Sequence, residues 1–297
     1  MRESVSESAS ESRMANVATV TAIWRYPVKS MIGEELDASA VTEQGLLGDR
    51  AYALVDAETG KVASAKNPKR WPNLFECHAA LTEPPETAGE LPPVRITLPD
   101  GATVTSDDSD VDGVLSDVVG RRVTLERTAP TEAVFEEYWP DMEGLSPEGH
   151  RNTVTDEPVG ITAPPGTFFD NASISVLTTA TLDRLGELYP EGRFDVRRFR
   201  MNLIVEANGD GFVENDWIGH TLAVGDGVSL SVTLADPRCV MTTLPQGDLP
   251  KDPGILRAAA QHNRVEIPGS GLYPCVGVYA TVTAAGNVRR GDPVALD

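Results

Sequence analysis

The sequence has few cysteines and no long apolar segment. Cys77, Cys239 and Cys275 are its only cysteines among 297 residues. Three scattered cysteines cannot form a disulfide framework, so the composition indicates a reducing compartment, and we predict a cytoplasmic protein. No apolar run approaches the roughly 20 residues that a membrane helix needs, and no signal peptide is recognisable. The sequence therefore predicts no membrane partner.

Lysine is also scarce, and acidic residues dominate. The chain has 25 Lys and Arg residues against 45 Asp and Glu residues, a formal net charge of −20. Nucleic acids and anionic membranes bind basic faces, so this charge argues against both as partners. The only lysines are Lys29, Lys61, Lys66, Lys69 and Lys251. Dispersed acidity with little lysine is typical of proteins kept soluble at high salt, so we expect a halophilic source; the alternative is an ordinary acidic protein.

Several catalytic motifs are absent. The sequence contains no Gly-x-Ser-x-Gly nucleophile elbow, no P-loop and no Gly-x-Gly-x-x-Gly dinucleotide motif. Its four histidines never occur at the spacing of a zinc site. These absences argue against serine hydrolase chemistry and against zinc.

The order of apolar stretches and turns indicates the fold. Short apolar stretches alternate with glycine turns through most of the chain, and two or three segments have helical periodicity. This pattern predicts a mainly β fold with a few helices (α+β), built as a barrel rather than from βαβ units. We predict a disordered acidic, serine-rich tail over residues 1–15, a smaller β-rich domain over 16–130 and a β-barrel domain over 131–297. Within the last, residues 131–166 are predicted to be a connecting region.

The segment with the most distinctive chemistry centres on Cys239. Residues 228–234 alternate as a half-buried strand does, and Asp236-Pro237 is predicted to break that strand and to place Cys239 in a loop. The neighbouring guanidinium of Arg238 should favour the thiolate, which binds soft metals or attacks electrophiles. The alternative is a buried, inert cysteine.

A possible anion site lies near the N-terminus. Lys29 and Ser30 are adjacent and precede Gly33, where a backbone can approach a ligand, which suits an anion cradle. Taken alone, these residues fit a surface turn better. Arg50, at the start of a predicted strand, could supply the bidentate fork that a phosphate prefers.

Two further clusters of positive charge stand out in so acidic a chain. Residues 66–71 form a basic segment that fits the rim of an anion site and a solvated loop equally well. A second cluster places three arginines within four residues, namely Arg197, Arg198 and Arg200. An anionic ligand and neighbouring carboxylates explain this second cluster equally well.

Six short motifs, in this order, are similar to those of one family. They are Tyr26-Pro-Val-Lys-Ser30, Gly45-Leu-Leu-Gly-Asp-Arg50, Arg198-Phe-Arg-Met-Asn202, Glu214-Asn-Asp-Trp217, Pro237-Arg-Cys-Val-Met-Thr-Thr243 and Gly291-Asp292-Pro293. Each is weak alone, but together they make residues 17–297 resemble the MOSC superfamily, the molybdenum cofactor sulfurase C-terminal domain, preceded by its N-terminal β-barrel domain. Within the superfamily the chain looks most like the amidoxime-reducing components and their bacterial relatives.

The resemblance implies a molybdenum–molybdopterin cofactor and assigns residues to it. Cys239 would be the protein's sulfur ligand to molybdenum. The residues implied to bind the cofactor, with the terminal phosphate against the first three, are Lys29, Ser30, Arg50, Asp170, Ser173, Arg200, Asn202 and Arg238. The chain departs from the family pattern at Met201, where relatives often have proline, and at Asp236, where they often have serine or cysteine.

The resemblance also implies an activity, the reduction of N-hydroxylated compounds. A cysteine-bound iron–sulfur cluster needs four thiolates, more than this chain contains, so we expect a separate ferredoxin or flavoprotein reductase as electron donor. Two alternatives stay open: a sulfur carrier or transferase with a persulfide on Cys239, and a non-catalytic carrier of the cofactor. The superfamily is also associated with pyridoxal phosphate, to which no residue of this chain is assigned.

Overall fold

The computed structural model describes residues 14–141 and 150–297, so most of the predicted tail lies outside the described residues. The three described α-helices are α1 (Val111–Val119), α2 (Thr179–Leu188) and α3 (Pro253–His262). Short 3-10 helices span Leu74–Glu76, Val196–Arg198, Val213–Trp217 and Val240–Thr243. The strands are β1 (Ala15–Arg25), β2 (Glu34–Leu36), β3 (Ala38–Thr42), β4 (Gly45–Leu46), β5 (Ala53–Asp56), β6 (His78–Leu81), β7 (Val94–Thr97), β8 (Thr103–Thr105), β9 (Val123–Glu126), β10 (Val134–Trp139), β11 (Thr153–Pro158), β12 (Ile174–Thr178), β13 (Leu203–Ala207), β14 (Thr221–Val224), β15 (Val228–Pro237), β16 (Arg264–Ile267), β17 (Gly271–Ala284), β18 (Gly286–Arg289) and β19 (Pro293–Leu296).

Seven strands close into a barrel in the order β12-β13-β1-β19-β14-β15-β17. Pairing of β12 with β17 completes the ring, with Val176 opposite Val278. The pair β12–β13 is parallel and is joined through α2, whereas the other barrel pairs are antiparallel. Alternate residues of these strands, such as Val205 and Leu230, are buried in the barrel interior. The predicted fold class, mainly β with a few helices and a barrel, is confirmed.

Small sheets formed by the first half of the chain lie outside the barrel. The strands β6, β7 and β8 form one sheet, and β5 pairs with β9. Together with α1 they enclose a separate apolar core that includes Leu54, Phe75 and Leu115. The predicted domain boundary at residue 130 stays a prediction. Strand β1, although early in the sequence, is a full member of the barrel.

The segment after β15 joins these two parts of the molecule. Met241 packs into the apolar core of the N-terminal sheets, and Cys239 and Leu244 lie against the same core. Strands of the barrel therefore deliver the cysteine segment to residues from the first third of the chain. This meeting place is where the candidate site forms.

One local prediction is wrong. Asp236-Pro237 does not end the strand at residue 234, because β15 continues to Pro237, which pairs with Cys275. Register shifts after Val232 and Ala235 allow this: a bulge lets the strand accommodate a proline that lacks an N–H. The predicted connecting region also contains the β10–β11 hairpin, although residues 142–149 of that region lie outside the described residues.

Candidate functional site

A cavity forms where the segment after β15 faces the N-terminal sheets. Seven of the eight predicted cofactor-binding residues line it, together with the predicted metal ligand Cys239. The seven are Lys29, Ser30, Arg50, Asp170, Arg200, Asn202 and Arg238. These positions span more than two hundred residues of sequence, so the fold and not local sequence brings them together. The structure does not bring Ser173 to this cavity; its neighbours Ala172 and Ser175 line the wall instead.

Cys239 lies two residues after Pro237, the last residue of β15, and directly precedes the short helix Val240–Thr243. Its carbonyl accepts hydrogen bonds from the Thr242 amide at 3.3 Å and the Thr242 hydroxyl at 3.1 Å, which fixes the backbone that carries the thiol. The residue is half-buried. Burial raises the pKa of the Cys239 thiol to about 12, and the nearby charge of Lys66 acts in the opposite direction.

Arg238 does not act on the thiol as predicted. Its guanidinium donates to the Phe199 and Val276 carbonyls and forms an ion pair with Asp236 at 2.7 Å. Because these partners lie in the protein framework, the side chain braces the cysteine segment against β17 and the loop before β13. The cation that opposes the rise in the Cys239 pKa is Lys66 instead.

Two lysines share one carboxylate at the other end of the cavity. The Lys29 ammonium is buried; it donates to the Phe168 carbonyl at 2.9 Å and is paired with Asp170. Lys66 lies 3.3 Å from the same carboxylate. Burial alone would raise the pKa of Asp170, but the two ammonium charges outweigh it and hold that pKa well below its usual range. Burial lowers the pKa of Lys29, against the pull of Asp170.

Two arginine side chains of the cavity pack against the ring of one tyrosine. The guanidinium carbons of Arg50 and Arg200 each lie 4.3 Å from the centroid of the Tyr26 ring. Asp49 grips Arg50 with both carboxylate oxygens, at 2.6 and 2.7 Å. Burial works against the charge of Arg50, but the Asp49 carboxylate raises its pKa overall.

Of these two arginines, Arg200 is the one whose positive charge is not neutralised by an ion pair among the described residues. Its guanidinium donates to the Met31 carbonyl at 2.6 Å and forms no ion pair with any of the described carboxylates. Burial and the like charge of Arg50 lower its pKa to about 10. The cavity therefore contains a buried cation that has no carboxylate in ion-pair contact among the described residues, a costly arrangement unless an anion binds.

The backbone is strained where three cavity residues lie. Ser30, Arg50 and Arg200 have φ angles of 64°, 47° and 55°, a region that side chains other than glycine rarely occupy. Such strain concentrates at functional sites, where the surrounding structure enforces it. Gly33, in contrast, does not line the cavity: a Cβ there would lie 2.6 Å from the Tyr26 ring, so this glycine is required for packing.

Asn202 lies on the cavity wall but is engaged by the protein. Its carbonyl oxygen accepts from the Ser175 amide and hydroxyl at 3.1 Å, and its Nδ2 donates to Asp49 at 2.8 Å. Since Asp49 holds Arg50, Asn202 orients the arginine through the carboxylate.

In each of the two basic clusters, some residues line the cavity and others form ion pairs within the protein. In the first, Lys66 lines the cavity, whereas Arg70 pairs with Asp56. In the arginine cluster, Arg197 pairs with Asp195 and Asp248. Carboxylate partners therefore account for Arg70 and Arg197, whereas anion binding by the cavity-lining residues Lys66 and Arg200 stays a prediction.

Arg198, in the same cluster, binds backbone carbonyls and no carboxylate among the described residues. Its buried guanidinium donates to backbone carbonyls, among them Thr242 at 3.1 Å and Pro250 at 2.8 Å. Arg198 thus fixes the cysteine segment through its backbone, and both Arg198 and Arg200 line the cavity.

Three residues of the site were missed or left out at the sequence level. They are Lys66, Asp236 and Tyr279, all in the cavity lining. Asp236 is buried; burial raises its pKa to about 6, although the charge of Arg238 opposes the rise. Its Oδ1 atom is buried without a hydrogen-bond partner among the described residues. The departure at this position from the family pattern was the signal that could have identified it.

The described residues contain no group of three or more His, Cys, Asp and Glu side chains that could hold a metal ion. A metal bound at Cys239 would therefore take its other ligands from elsewhere. None of the described helices is long and apolar enough to cross a membrane.

Comparisons with known proteins agree with the motif pattern. Residues 17–136 match the family model of the MOSC N-terminal beta barrel domain, and residues 164–295 match that of the MOSC domain. The chain is 25% identical to mitochondrial amidoxime reducing component 2 of Homo sapiens, over 95% of this chain and 84% of that protein. It is 24% identical to mitochondrial amidoxime-reducing component 1 of Mus musculus, over 96% and 84%. The crystal structure of the YUAD protein from Bacillus subtilis aligns with a TM-score of 0.46 at 12% identity, over 96% of this chain and 98% of that one.

Proposed function

The chain belongs to the MOSC superfamily, with a MOSC N-terminal domain before its MOSC domain, and we propose that it is a molybdenum-cofactor-dependent reductase of N-hydroxylated compounds. Family membership supports a function related to the molybdenum cofactor. The reaction, N–OH to N–H, is proposed from the similarity to the amidoxime reducing components. The proposal depends on one observation: the thiol of Cys239 and the buried guanidinium of Arg200 line the same cavity.

The cavity fits both ends of such a cofactor. A phosphate is an anion, and the guanidinium of Arg200 is a buried cation without a carboxylate partner among the described residues. A pterin carries N–H donors, and the Oδ1 atom of Asp236 is a buried acceptor in need of a donor. Ser30 accepts from the Ala65 amide at 3.1 Å, so its hydroxyl hydrogen stays available to a phosphate oxygen. Charge and hydrogen-bonding capacity therefore match the group.

In the proposed holoprotein, Cys239 would be the protein's thiolate ligand to molybdenum. A bound metal ion replaces the thiol proton, which overcomes the raised pKa of this buried cysteine. Lys29, Ser30, Arg50 and Arg200 would hold the phosphate, and Asn202 and Asp49 keep Arg50 in position. When bound, the cofactor would supply the two-electron redox chemistry that reduction of an N–OH group requires.

Asp170 is a poor proton donor for this reaction. The charges of Lys29 and Lys66 hold its pKa well below the usual range, so it is ionised at neutral pH. We assign it a positioning role, in which its carboxylate fixes the two lysines at the cavity.

The electrons are proposed to come from a separate ferredoxin or flavoprotein reductase. Cys77 and Cys275 are buried in different parts of the protein, and Cys239 is assigned to molybdenum. The described residues thus offer no set of four thiolates for an iron–sulfur cluster.

The test is production of the chain in a host that makes the cofactor, followed by metal analysis and an amidoxime reduction assay with an artificial reductant. We expect about one molybdenum per chain and measurable turnover. Cys239→Ser should lose both. Cys77→Ala, which removes a buried thiol outside the cavity, should keep both.

The alternatives give different results. If molybdenum binds but no N–OH compound is reduced, the protein is a carrier of the cofactor and the reductase proposal fails. If molybdenum is absent and Cys239 carries labile sulfur, the protein is a sulfur carrier. That reading leaves the cluster of Lys29, Arg50 and Arg200 without a role.

A further inference from the structure

A second cleft, of about 360 Å³, opens on the other side of Cys239. It shares Lys66, Asp170, Pro237, Arg238, Cys239 and Tyr279 with the cavity, but most of its remaining lining is different in kind. That lining is mainly aromatic, apolar and acidic, with Phe135, Glu137, Trp139, Glu157, Ile161 and Tyr273, and it also includes the polar side chains of His150, Asn171 and Ser270. A bound molecule here would lie next to the thiol on the side away from Arg50 and Arg200, neither of which lines this cleft.

The β10–β11 hairpin forms one wall of this cleft. Phe135, Glu137 and Trp139 alternate along β10, so they project from one face of the hairpin. Glu157 on β11 is directly opposite Phe135 in the register and faces the same way. The Trp139 and Tyr273 rings lie 6.4 Å apart, which gives the cleft a second aromatic wall.

Glu157 is held in position by neutral groups. The Trp139 indole N–H donates to the Thr155 hydroxyl at 2.7 Å, and that hydroxyl donates to the Glu157 carboxylate at 2.6 Å. This chain of hydrogen bonds fixes the carboxylate but adds no positive charge.

The other charges around the cleft are already compensated. Lys66 is paired with Glu137 at 3.1 Å and with Asp170, and Arg238 is paired with Asp236. Glu157 has no cation within ion-pair distance among the described residues, so it leaves the cleft with an uncompensated negative charge. Burial and the charges of Glu137 and Glu157 raise the pKa of the Tyr273 hydroxyl, which places all three groups close together.

We propose that this cleft is the substrate site and that Glu157 determines its specificity: it selects N-hydroxylated compounds that carry a positive charge beside a flat aromatic group. This inference rests on the proposed function. The rings of Trp139 and Tyr273 provide apolar walls for a flat group, and Glu157 supplies the counter-charge. The same charge disfavours a phosphate, so the cofactor's anionic end and the substrate's cationic end are assigned to opposite sides of Cys239.

Binding is tested first, with a probe that contains no N–OH group. Benzamidine is an aromatic cation, and benzamide is its neutral counterpart of similar shape. Titration calorimetry should show that benzamidine binds more tightly than benzamide, and that Glu157→Gln weakens benzamidine about tenfold with little change for benzamide. Glutamine keeps an acceptor for Thr155, so the hairpin should stay folded, which circular dichroism checks.

Asp156→Asn is the matched control. Asp156 is adjacent in sequence, undergoes the same change of charge and pairs with Lys61 at 2.6 Å on the opposite face of the hairpin. It should leave benzamidine binding unchanged. Equal weakening by both substitutions would show a general effect of net charge and would overturn the proposal.

Turnover then separates this inference from the proposed function. With an aromatic N-hydroxyguanidinium and an uncharged aromatic amidoxime, Glu157→Gln should reduce the KM preference for the cation about tenfold. If the loaded enzyme reduces both compounds with no such preference, the reductase assignment stands and the assignment of Glu157 is overturned. If the chain binds no molybdenum but benzamidine binding depends on Glu157, the proposed function fails and a cation-selective cleft remains.

Discussion

The side chain of Asp49 shows how the site depends on single residues. It is buried and accepts hydrogen bonds from Arg50, Asn202 and the backbone amide of Tyr26. Asp49→Ala should lower the free energy of unfolding by about 3 kcal/mol, because it leaves the Arg50 charge buried without its partner. Urea denaturation, followed by tryptophan fluorescence, measures this change.

A control for Asp49 is available at the surface. Asp248 also pairs with two arginines, Arg193 and Arg197, but its side chain is 61% exposed. Water and salt screen exposed ion pairs, so Asp248→Ala should leave the unfolding midpoint close to that of the unaltered protein. If both substitutions have the same effect, burial of the Asp49–Arg50 pair is not the cause.

Asp56 gives a prediction of pH dependence. This buried carboxylate accepts from Arg70 and Arg121; burial alone would raise its pKa, but these bonds lower it to about 2. Because the folded value lies below the unfolded one of about 4, its stabilisation is complete above pH 4 and is lost as the pH falls toward 2. Asp56→Asn should therefore cost about 1 to 2 kcal/mol at pH 7, and the difference should disappear toward pH 2.

Unfolding curves of the two proteins between pH 7 and pH 2 measure this difference. Glu58→Gln, which changes an 82% exposed carboxylate 3.7 Å from Arg121, is the control and should match the unaltered protein throughout. A constant difference between Asp56→Asn and the unaltered protein at every pH would contradict the charge-based account.

The sequence could predict the residue types of the site better than their partners. Lys29, Arg50, Arg200 and Cys239 were singled out by charge and motif, and the fold brings them to one cavity. Arg238 was predicted to favour the thiolate because it is next to the cysteine; this is wrong, because the Val276 and Phe199 carbonyls and the Asp236 carboxylate hold its guanidinium. Lys66 acts on Cys239 through space, which no sequence spacing reveals.

At the level of elements, the ends of helices were more predictable than the strands. Thr178 caps α2 by accepting from the Thr181 amide, and Asp252 caps α3 ahead of Pro253; both residues are of the types that commonly begin helices. Caps are local, so the sequence displays them. The β10–β11 hairpin was missed, because its buried face alternates aromatic with acidic residues, and a burial pattern that includes Glu137 does not look apolar.

Two glycines in strand β17 allow the cost of close packing in the barrel to be separated from the cost of backbone strain. Gly277 has a φ of 82°, and a Cβ there would lie 2.4 Å from the Met201 side chain and 2.7 Å from the Val176 carbonyl. Gly271 has a φ of 97° but open space around it. Gly271→Ala should therefore cost only the backbone strain, about 1 to 2 kcal/mol, whereas Gly277→Ala should cost about 3 kcal/mol or more.

The comparison of these two variants isolates the packing contribution, since both replace a glycine of positive φ in the same strand. Urea denaturation midpoints provide the measurement. Similar losses for both would mean that the barrel tolerates movement of Met201 and β12, and that strain alone sets the cost of substitution.

At the scale of the whole molecule, pairings between distant segments decide both the fold and the site. The barrel is completed only when β1 pairs with β13 and β19. These two strands follow β1 by nearly two hundred residues or more in the sequence. The cavity likewise needs Lys29 and Arg50 from one part of the chain and Cys239 from another. Local patterns specify which segments are strands but not which distant strand each one pairs with, so the closed barrel was predictable as a class and its strand order was not.

The net charge of −20 gives a final prediction, for the stability of the molecule as a whole. Repulsion among the excess carboxylates opposes folding, and salt screens it, since the Debye length falls from about 10 Å at 0.1 M to about 3 Å at 1 M. The melting temperature should therefore rise by roughly 5 °C between 0.05 and 1 M KCl. Sucrose at equal osmolality should reproduce only the part of this rise that is not electrostatic. A melting temperature that is flat or falls over this range would mean that the ion pairs lost to screening outweigh the repulsion relieved, and it would remove the physical basis for expecting adaptation to high salt.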